Sequence, residues 1–213
     1  MKKNTKQLIV FIKSPEPGKC KTRLMPFLSA KQASEFYKSL VITCLDNLAS
    51  LSETPIALYT YPDSGHPFIQ AINNNYPVTL HNQSGNNLGE RMHHAINASL
   101  KTHSQCVLIG TDCPLIDTAY INDAFNSLQQ HDMVFGPAED GGYVLVGATK
   151  TQTNIFSNIN WGTNKVLQQS LKNNKTAGFT TDLLQLLWDI DTPEDYLHYQ
   201  SLINATATTT ATN

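Results

Sequence analysis

The sequence predicts an α/β fold, a mostly parallel sheet with helices on both faces, and two observations carry that expectation. Leu8–Ile12 and Cys106–Ile109 are unbroken apolar runs bounded by polar residues, the pattern of strands buried on both sides. Between them Ala33, Phe36, Tyr37, Leu40, Val41, Cys44, Leu45 and Leu48 recur at helical spacing, so strand and helix alternate as in a crossover-connected sheet.

Further strands are expected at Ile56–Tyr61, Val78–Leu80, Met133–Phe135, Tyr143–Val146 and Leu186–Ile190. Ser29 and Gln32 form a capping box at the start of the first helix. A second helix runs from Asn87, with Glu90 as its capping acid, to about Leu100, and a third follows Asp117 with Ile121, Ala124, Phe125 and Leu128 aligned. Thr192, Pro193 and Asp195 have the N-cap, first-turn proline and capping-box acid of one more helix. The length of 213 residues suits one core, and a single domain over residues 1–203 is expected. Residues 204–213, with no apolar periodicity and almost no large side chains, read as a disordered tail.

Composition removes several function classes. A net charge of −2 and a pI near 6.4 supply no broad positive field, so nucleic acid is not an expected partner. The apolar stretch of the opening segment ends at Lys13, too short for a secretion signal or a membrane span, and membrane insertion is not expected. Cys20, Cys44, Cys106 and Cys113 make no metal-binding spacing and read as reduced thiols of a cytoplasmic protein. No heptad repeat or other self-association signal is present.

Ligands of such sheets bind beyond the carboxyl ends of the strands, and five polar segments fall there. Lys13 to Leu24 concentrates Lys13, Lys19, Lys21 and Arg23 around Gly18 and two prolines, a loop suited to phosphates although without P-loop spacing; a solvated basic loop is the bland alternative. Asp112, in Gly110-Thr111-Asp112-Cys113-Pro114 directly after a central strand, could hold Mg²⁺ or Mn²⁺, or simply form the turn before Pro114. Asp189 and Asp191 alternate along the expected final strand, which would put both carboxylates on one side, with Asp191 nearer the strand end and the better second ligand. Glu139-Asp140-Gly141-Gly142 could approach a ligand through backbone amides while Asp140 takes hydroxyl bonds or a proton, and is equally a strong hairpin signal. Gln83 to Met92 leads through Gly85 into a helix; Gln83 could read a base edge and the helix start could favour an anion. The adjacent His93 and His94 point apart on a helix and do not form a metal pair.

Taken in order, FIKSPEPGKCKTRL, QSGNNLGERM, LIGTDCPLI, FGPAEDGGYVLVG, INWGT and WDIDTPEDY resemble a bacterial family of uncharacterised glycosyltransferase-A-like proteins, some named arsenosugar biosynthesis glycosyltransferases. More distantly the chain is similar to phospholactate guanylyltransferase and the molybdenum-cofactor nucleotidyltransferases. The resemblance implies a Rossmann-like three-layer sandwich of the nucleotide-diphospho-sugar transferase (GT-A) type, a divalent metal, and a nucleotide sugar or nucleoside triphosphate as ligand. By position it implies Lys13, Lys21 and Arg23 in the phosphate loop, Asp112 and Asp191 at the metal, and Asp140, Gly141 and Gly142 on the sugar or acceptor side with Trp161 and Thr163. Asp112 is followed by Cys113 and Pro114 instead of completing an Asp-x-Asp motif, and the Gly-x-Gly of many nucleotidyltransferases is missing. Three readings stand on this basis: metal-dependent glycosyl transfer to a small-molecule acceptor, nucleotidyl transfer to a phosphorylated small molecule, and non-catalytic binding of a nucleotide or sugar phosphate.

Overall fold

The apolar run Leu8–Ile12 lies within β1 (Lys6–Lys13), the third strand of a seven-stranded sheet. The computed structural model describes residues 5–210, apart from residues 26 and 52. The remaining strands are β2 (Ile56–Tyr61), β3 (Val78–Asn82), β4 (Gln105–Ile109), β5 (Met133–Pro137), β6 (Tyr143–Ala148) and β7 (Thr181–Leu183). Their order is β3-β2-β1-β4-β6-β5-β7, and β6 runs antiparallel to both β4 and β5 while the other pairings are parallel.

The alternation of β1 side chains sorts the helices into two layers. Leu8, Val10 and Ile12 share one core with Tyr37, Val41, Cys44 and Leu45 of α1 (Ala30–Asn47), Ile69 and Ile72 of α2 (Pro67–Asn75), and Ile121, Ala124 and Phe125 of α4 (Thr118–Ser127). Ile9 faces the opposite core, with Met92, Ala95 and Ile96 of α3 (Leu88–Ser99), against which Leu167 and Leu171 of α5 (Val166–Thr176) also pack. Burying each Leu, Ile or Phe contributes about 1.5–3 kcal/mol, so the two cores hold the sheet rigid from both sides and fix its edge as a platform. The four cysteines are buried and unpaired. Among the described residues no helix is long and apolar enough to cross a membrane.

The caps follow the sequence. Ser29 and Gln32 form the reciprocal box on α1, Asn87 accepts from the Glu90 N–H at 2.9 Å on α3, and Asp117 accepts from the Tyr120 N–H at 2.9 Å on α4. Where α6 (Pro193–Thr210) begins, Asp195 accepts the Thr192 and Asp191 N–H groups at 2.7 and 3.0 Å and the Trp188 indole at 3.1 Å. That carboxylate ties residues 188–192 to the start of α6, and here the structure departs from expectation: Leu186–Ile190 is no strand. The strand at this side of the sheet is β7, beside β5, and Leu187 makes one isolated bridge to Ala138. Two helices, α2 and α5, had weak signals: α2 is nine residues long, and α5 carries few apolar positions among its polar residues. α6 is helical past Asn204 to Thr210, with residues 201–205 exposed; residues 211–213 of the expected tail lie outside the described residues.

Candidate active site

Strand register brings the polar segments to one edge of the sheet. Lys13 at the end of β1 pairs with Tyr61 at the end of β2, Ile109 of β4 with Leu145, and Pro137 of β5 with Tyr143 at the start of the reversed β6. Two adjoining cavities open there, of about 420 and 220 Å³, and Lys13, Tyr37 and Asp112 line both.

The smaller cavity is walled by the basic loop, with Lys19, Cys20, Lys21, Thr22, Arg23 and Asp191 completing it. Leu24 is fully buried with Leu28 and Ala33, and Tyr196 of α6 stacks edge-on against Phe36 at 4.8 Å and tilts against Phe27 at 5.8 Å, so the loop is clamped between α1 and α6. Lys21 sits in the left-handed region, φ 47° and ψ 41°, which a non-glycine residue occupies only when its surroundings compel it. Its side chain is 4% exposed, and its ammonium donates to the Ile190 carbonyl and lies 2.7 Å from Asp112 Oδ1. Arg23 pairs with Asp191. Gly18 has φ +82° and open space around it, at the apex of the loop.

The two strand-end segments that carry the acids are joined by their backbones, since the Ile190 N–H donates to the Asp112 carbonyl at 2.9 Å. Asp112 and Asp191 therefore meet the basic loop at one mouth, each through its own cation. Asp189 is the residue that sequence reasoning undervalued: with Asp112 and Asp140 it lines the larger cavity, whereas Asp191 lines only the smaller. The signal was its spacing from Asp191, and a strand was expected where the chain is irregular. Burial first, and then the fields of Asp140, Asp112 and Asp191, push the Asp189 carboxyl up to about 6.

That shift sets a sign. A carboxyl whose folded pKa lies above its unfolded value favours the folded state fully below the unfolded value, about pH 4, and the contribution is lost as pH rises towards 6. Asp189→Asn is accordingly expected to raise stability above pH 6 by about 1–3 kcal/mol and to leave it nearly unchanged below pH 4, as measured by denaturant unfolding across pH.

Asp140 tops the hairpin between β5 and β6. Its Oδ1 accepts the Gly142 N–H at 2.7 Å, which leaves Oδ2 outside the turn. The hairpin expected from the sequence is present, and Asp140 and Gly142 also line the larger cavity. Gly141 has φ +85°, and a Cβ there would lie 2.4 Å from the Asn164 carbonyl oxygen. It is thus the backbone seat of the Trp161–Thr163 segment more than a lining residue. Gly141→Ala is expected to cost about 2–4 kcal/mol from the strained φ and the overpacking together, read as a lowered melting temperature. Trp161 and Thr163 line the larger cavity; Trp161 stands edge-on to Tyr143 at 6.4 Å, and a Cβ on the intervening Gly162 would lie 3.9 Å from Arg23 Nη2. The basic loop therefore reaches the segment expected on the acceptor side.

At the other end of the cavity Gln83 donates its amide to the carbonyls of Tyr59 at 3.0 Å and Ile12 at 3.3 Å. Its amide nitrogen is committed to the sheet edge, so what it can offer a ligand is its oxygen. Gly85, φ +136°, is not a lining residue: a Cβ there would sit 2.7 Å from Glu90 Cβ, and its carbonyl accepts from Arg91 Nε at 3.1 Å. Arg91, which sequence reasoning passed over, lies 3.7 Å over the Tyr61 ring, and both line the cavity. His93 and His94 are tilted apart, His94 donating to the Ser84 carbonyl at 2.7 Å.

The donor set suits a hard cation that brings ligands of its own. Asp112 Oδ1 is buried and, despite the nearby Lys21 ammonium, has no aligned hydrogen-bond donor. Among the described residues no group of three or more His, Cys, Asp or Glu side chains is assembled to hold a metal. One or two carboxylates at most are offered, the arrangement Mg²⁺ accepts when phosphate oxygens and water complete its shell.

This is the sheet and crevice of the Rossmann-like nucleotide-diphospho-sugar transferase class of fold, and comparison with solved structures agrees. The chain is 30% identical, with a TM-score of 0.79, to a Desulfovibrio desulfuricans protein provisionally named a nucleotide-diphospho-sugar transferase, over 88% of this chain and 82% of that one. It shares the fold of a Methanothermobacter nucleotidyl transferase (TM-score 0.64, 10% identity, 96% and 100% covered) and of 4-diphosphocytidyl-2C-methyl-D-erythritol synthase from Anaerococcus prevotii (0.63, 11%, 93% and 96%). Residues 44–163 match a family described as an uncharacterized protein conserved in bacteria (DUF2064), and the chain belongs to that family. No curated protein matches the chain.

Proposed function

We infer that the protein is a metal-dependent glycosyltransferase that takes a nucleotide-diphospho-sugar and passes the sugar to a small-molecule acceptor. The observation that carries this reading is the convergence of Asp112, Asp140, Asp189, Trp161 and Thr163 around one cavity directly beside the cationic loop. The relative at 30% identity, provisionally named for that activity, supports it.

In this reading the diphosphate lies against Lys13, Lys21 and Arg23, and the sugar extends towards Asp140 and Trp161. Asp112, with Asp191 or Asp189, would hold Mg²⁺ or Mn²⁺, which when bound supplies positive charge to the diphosphate oxygens. Lys21 is already immobilised, so it stabilises charge on the departing nucleoside diphosphate without first being ordered. Asp140 Oδ2 takes the acceptor hydroxyl proton as the acceptor oxygen bonds to the anomeric carbon and the bond from that carbon to the phosphate oxygen breaks.

One observation favours a second reading. The separate cationic cavity of about 220 Å³ has the charge to take pyrophosphate, which would be the leaving group if a phosphorylated acceptor attacked the α-phosphate of a nucleoside triphosphate. Incubation of the protein and Mg²⁺ with nucleotide sugars and, separately, with nucleoside triphosphates, followed by product analysis, distinguishes them. Nucleoside diphosphate released from the sugar donor is the expected result; pyrophosphate from a triphosphate would transfer the conclusion to nucleotidyl transfer, and neither product with any donor would leave the non-catalytic binder.

A further inference from the structure

Tyr37 belongs to neither acid nor base cluster, yet it stands in the wall that both cavities share. It projects from α1, and its ring is buried at 6% exposure. The phenol oxygen accepts the backbone N–H of Lys13 at 2.8 Å, the last residue of β1, and the Thr111 hydroxyl at 3.4 Å, beyond the end of β4. Those two donors come from the segments that carry the basic loop and Asp112, so the oxygen is pinned between them.

A phenol has acceptor lone pairs and one donor hydrogen. Both hydrogen bonds to Tyr37 use the oxygen as acceptor, and no described residue takes its O–H. An unspent donor at a buried position is costly unless something receives it. Burial, with the field of Asp112 added, pushes its ionisation well above the ordinary tyrosine value, so the hydrogen stays in place across the physiological range.

We propose that the Tyr37 hydroxyl is a ligand-binding donor that hydrogen-bonds an anionic phosphate oxygen at the junction of the two cavities. This rests on the reading of the site as one for a diphosphate or triphosphate and holds for either transfer reaction. A neutral donor there does what Lys13, Lys21 and Arg23 cannot. It fixes the position of one oxygen by direction from a buried, immobile ring, where the lysine ammonium groups act as point charges and Arg23 is engaged with Asp191, and it does so beside Asp112 without forming an ion pair with it.

The test uses inorganic pyrophosphate with Mg²⁺, which probes the anion site whatever the base. Calorimetric titration well below the melting temperature is expected to show Tyr37→Phe binding about 10- to 100-fold more weakly than wild type, the loss typical of one hydrogen bond to a charged group. In wild-type protein labelled with ¹³Cζ tyrosine, the Tyr37 resonance, assigned by its absence from Tyr37→Phe, is expected to shift on pyrophosphate addition. A purely structural tyrosine would leave that signal where it is. Binding by the variant within twofold of wild type, or an unmoved Tyr37 resonance in a wild type that does bind, overturns the proposal. If the variant does not fold, the wild-type spectrum decides: a titration in which none of the eight tyrosine resonances moves overturns it. A wild type that binds neither pyrophosphate nor any nucleotide removes the proposed function itself and this donor with it.

Discussion

Asp112→Asn is expected to reduce transfer about 10³-fold and to make ligand binding indifferent to Mg²⁺. The substitution keeps shape and removes charge. The residue's backbone is held by the hydrogen bond from Ile190 and its neighbour Thr111 is buried, so the side-chain position survives. What is lost is the carboxylate whose Oδ1 waits without an aligned donor, and a metal contact of that kind is worth several kcal/mol in the transition state at 1.36 kcal/mol per tenfold. The fold should lose about 1–3 kcal/mol, because the Lys21 ammonium, 4% exposed, loses the charge of its partner, while the half of the Asp112 side chain open to solvent limits the cost. Steady-state kinetics with and without metal, together with a melting curve, check both halves.

Lys21→Met is the second large effect, an expected loss of about 10²–10³ in rate, the cost of removing one preorganised charge donor. Methionine retains the buried stem and an equally strained backbone, so the change isolates the ammonium. Stability should fall by about 1–2 kcal/mol as the Ile190 carbonyl loses its donor. Arg23→Ala offers the contrast: the Arg23–Asp191 pair is exposed on both sides, so its loss should cost less than about 1 kcal/mol of stability while still weakening diphosphate binding. If Lys21→Met and Arg23→Ala impaired activity only in proportion to unfolding, the loop would be structural and not a phosphate site.

Much of this arrangement was legible in the residues. Unbroken runs such as Leu8–Ile12 declare buried strands because few other environments tolerate them, and the caps at Ser29, Asn87, Asp117 and Thr192 mark helix starts through local hydrogen bonds that a few residues determine. The polar loops could be assigned to one edge because a parallel sheet aligns its strand ends. What the residues did not disclose was decided at a distance. Trp188-Asp189-Ile190-Asp191 does not continue a strand, and Asp195 reaches back to Asp191, Thr192 and Trp188 instead; the larger cavity is accordingly lined by Asp189 and not by Asp191. Tyr37 read as one apolar position of a helix stripe, and nothing within α1 reveals that its hydroxyl meets Lys13 and Thr111. Arg91 read as part of a capped helix start, and its seat on Tyr61 depends on a contact between segments thirty residues apart.

The central claim is that acids from two separated segments and cations from the first loop converge to hold a metal-bound nucleotide diphosphate. Calorimetric titration of the wild-type protein with ADP, GDP, CDP and UDP, each with and without Mg²⁺, tests it most directly. The account expects saturable binding of at least one of the four, tightened about tenfold or more by the metal. Absence of binding by all four in both conditions, or affinity that ignores Mg²⁺, would contradict it.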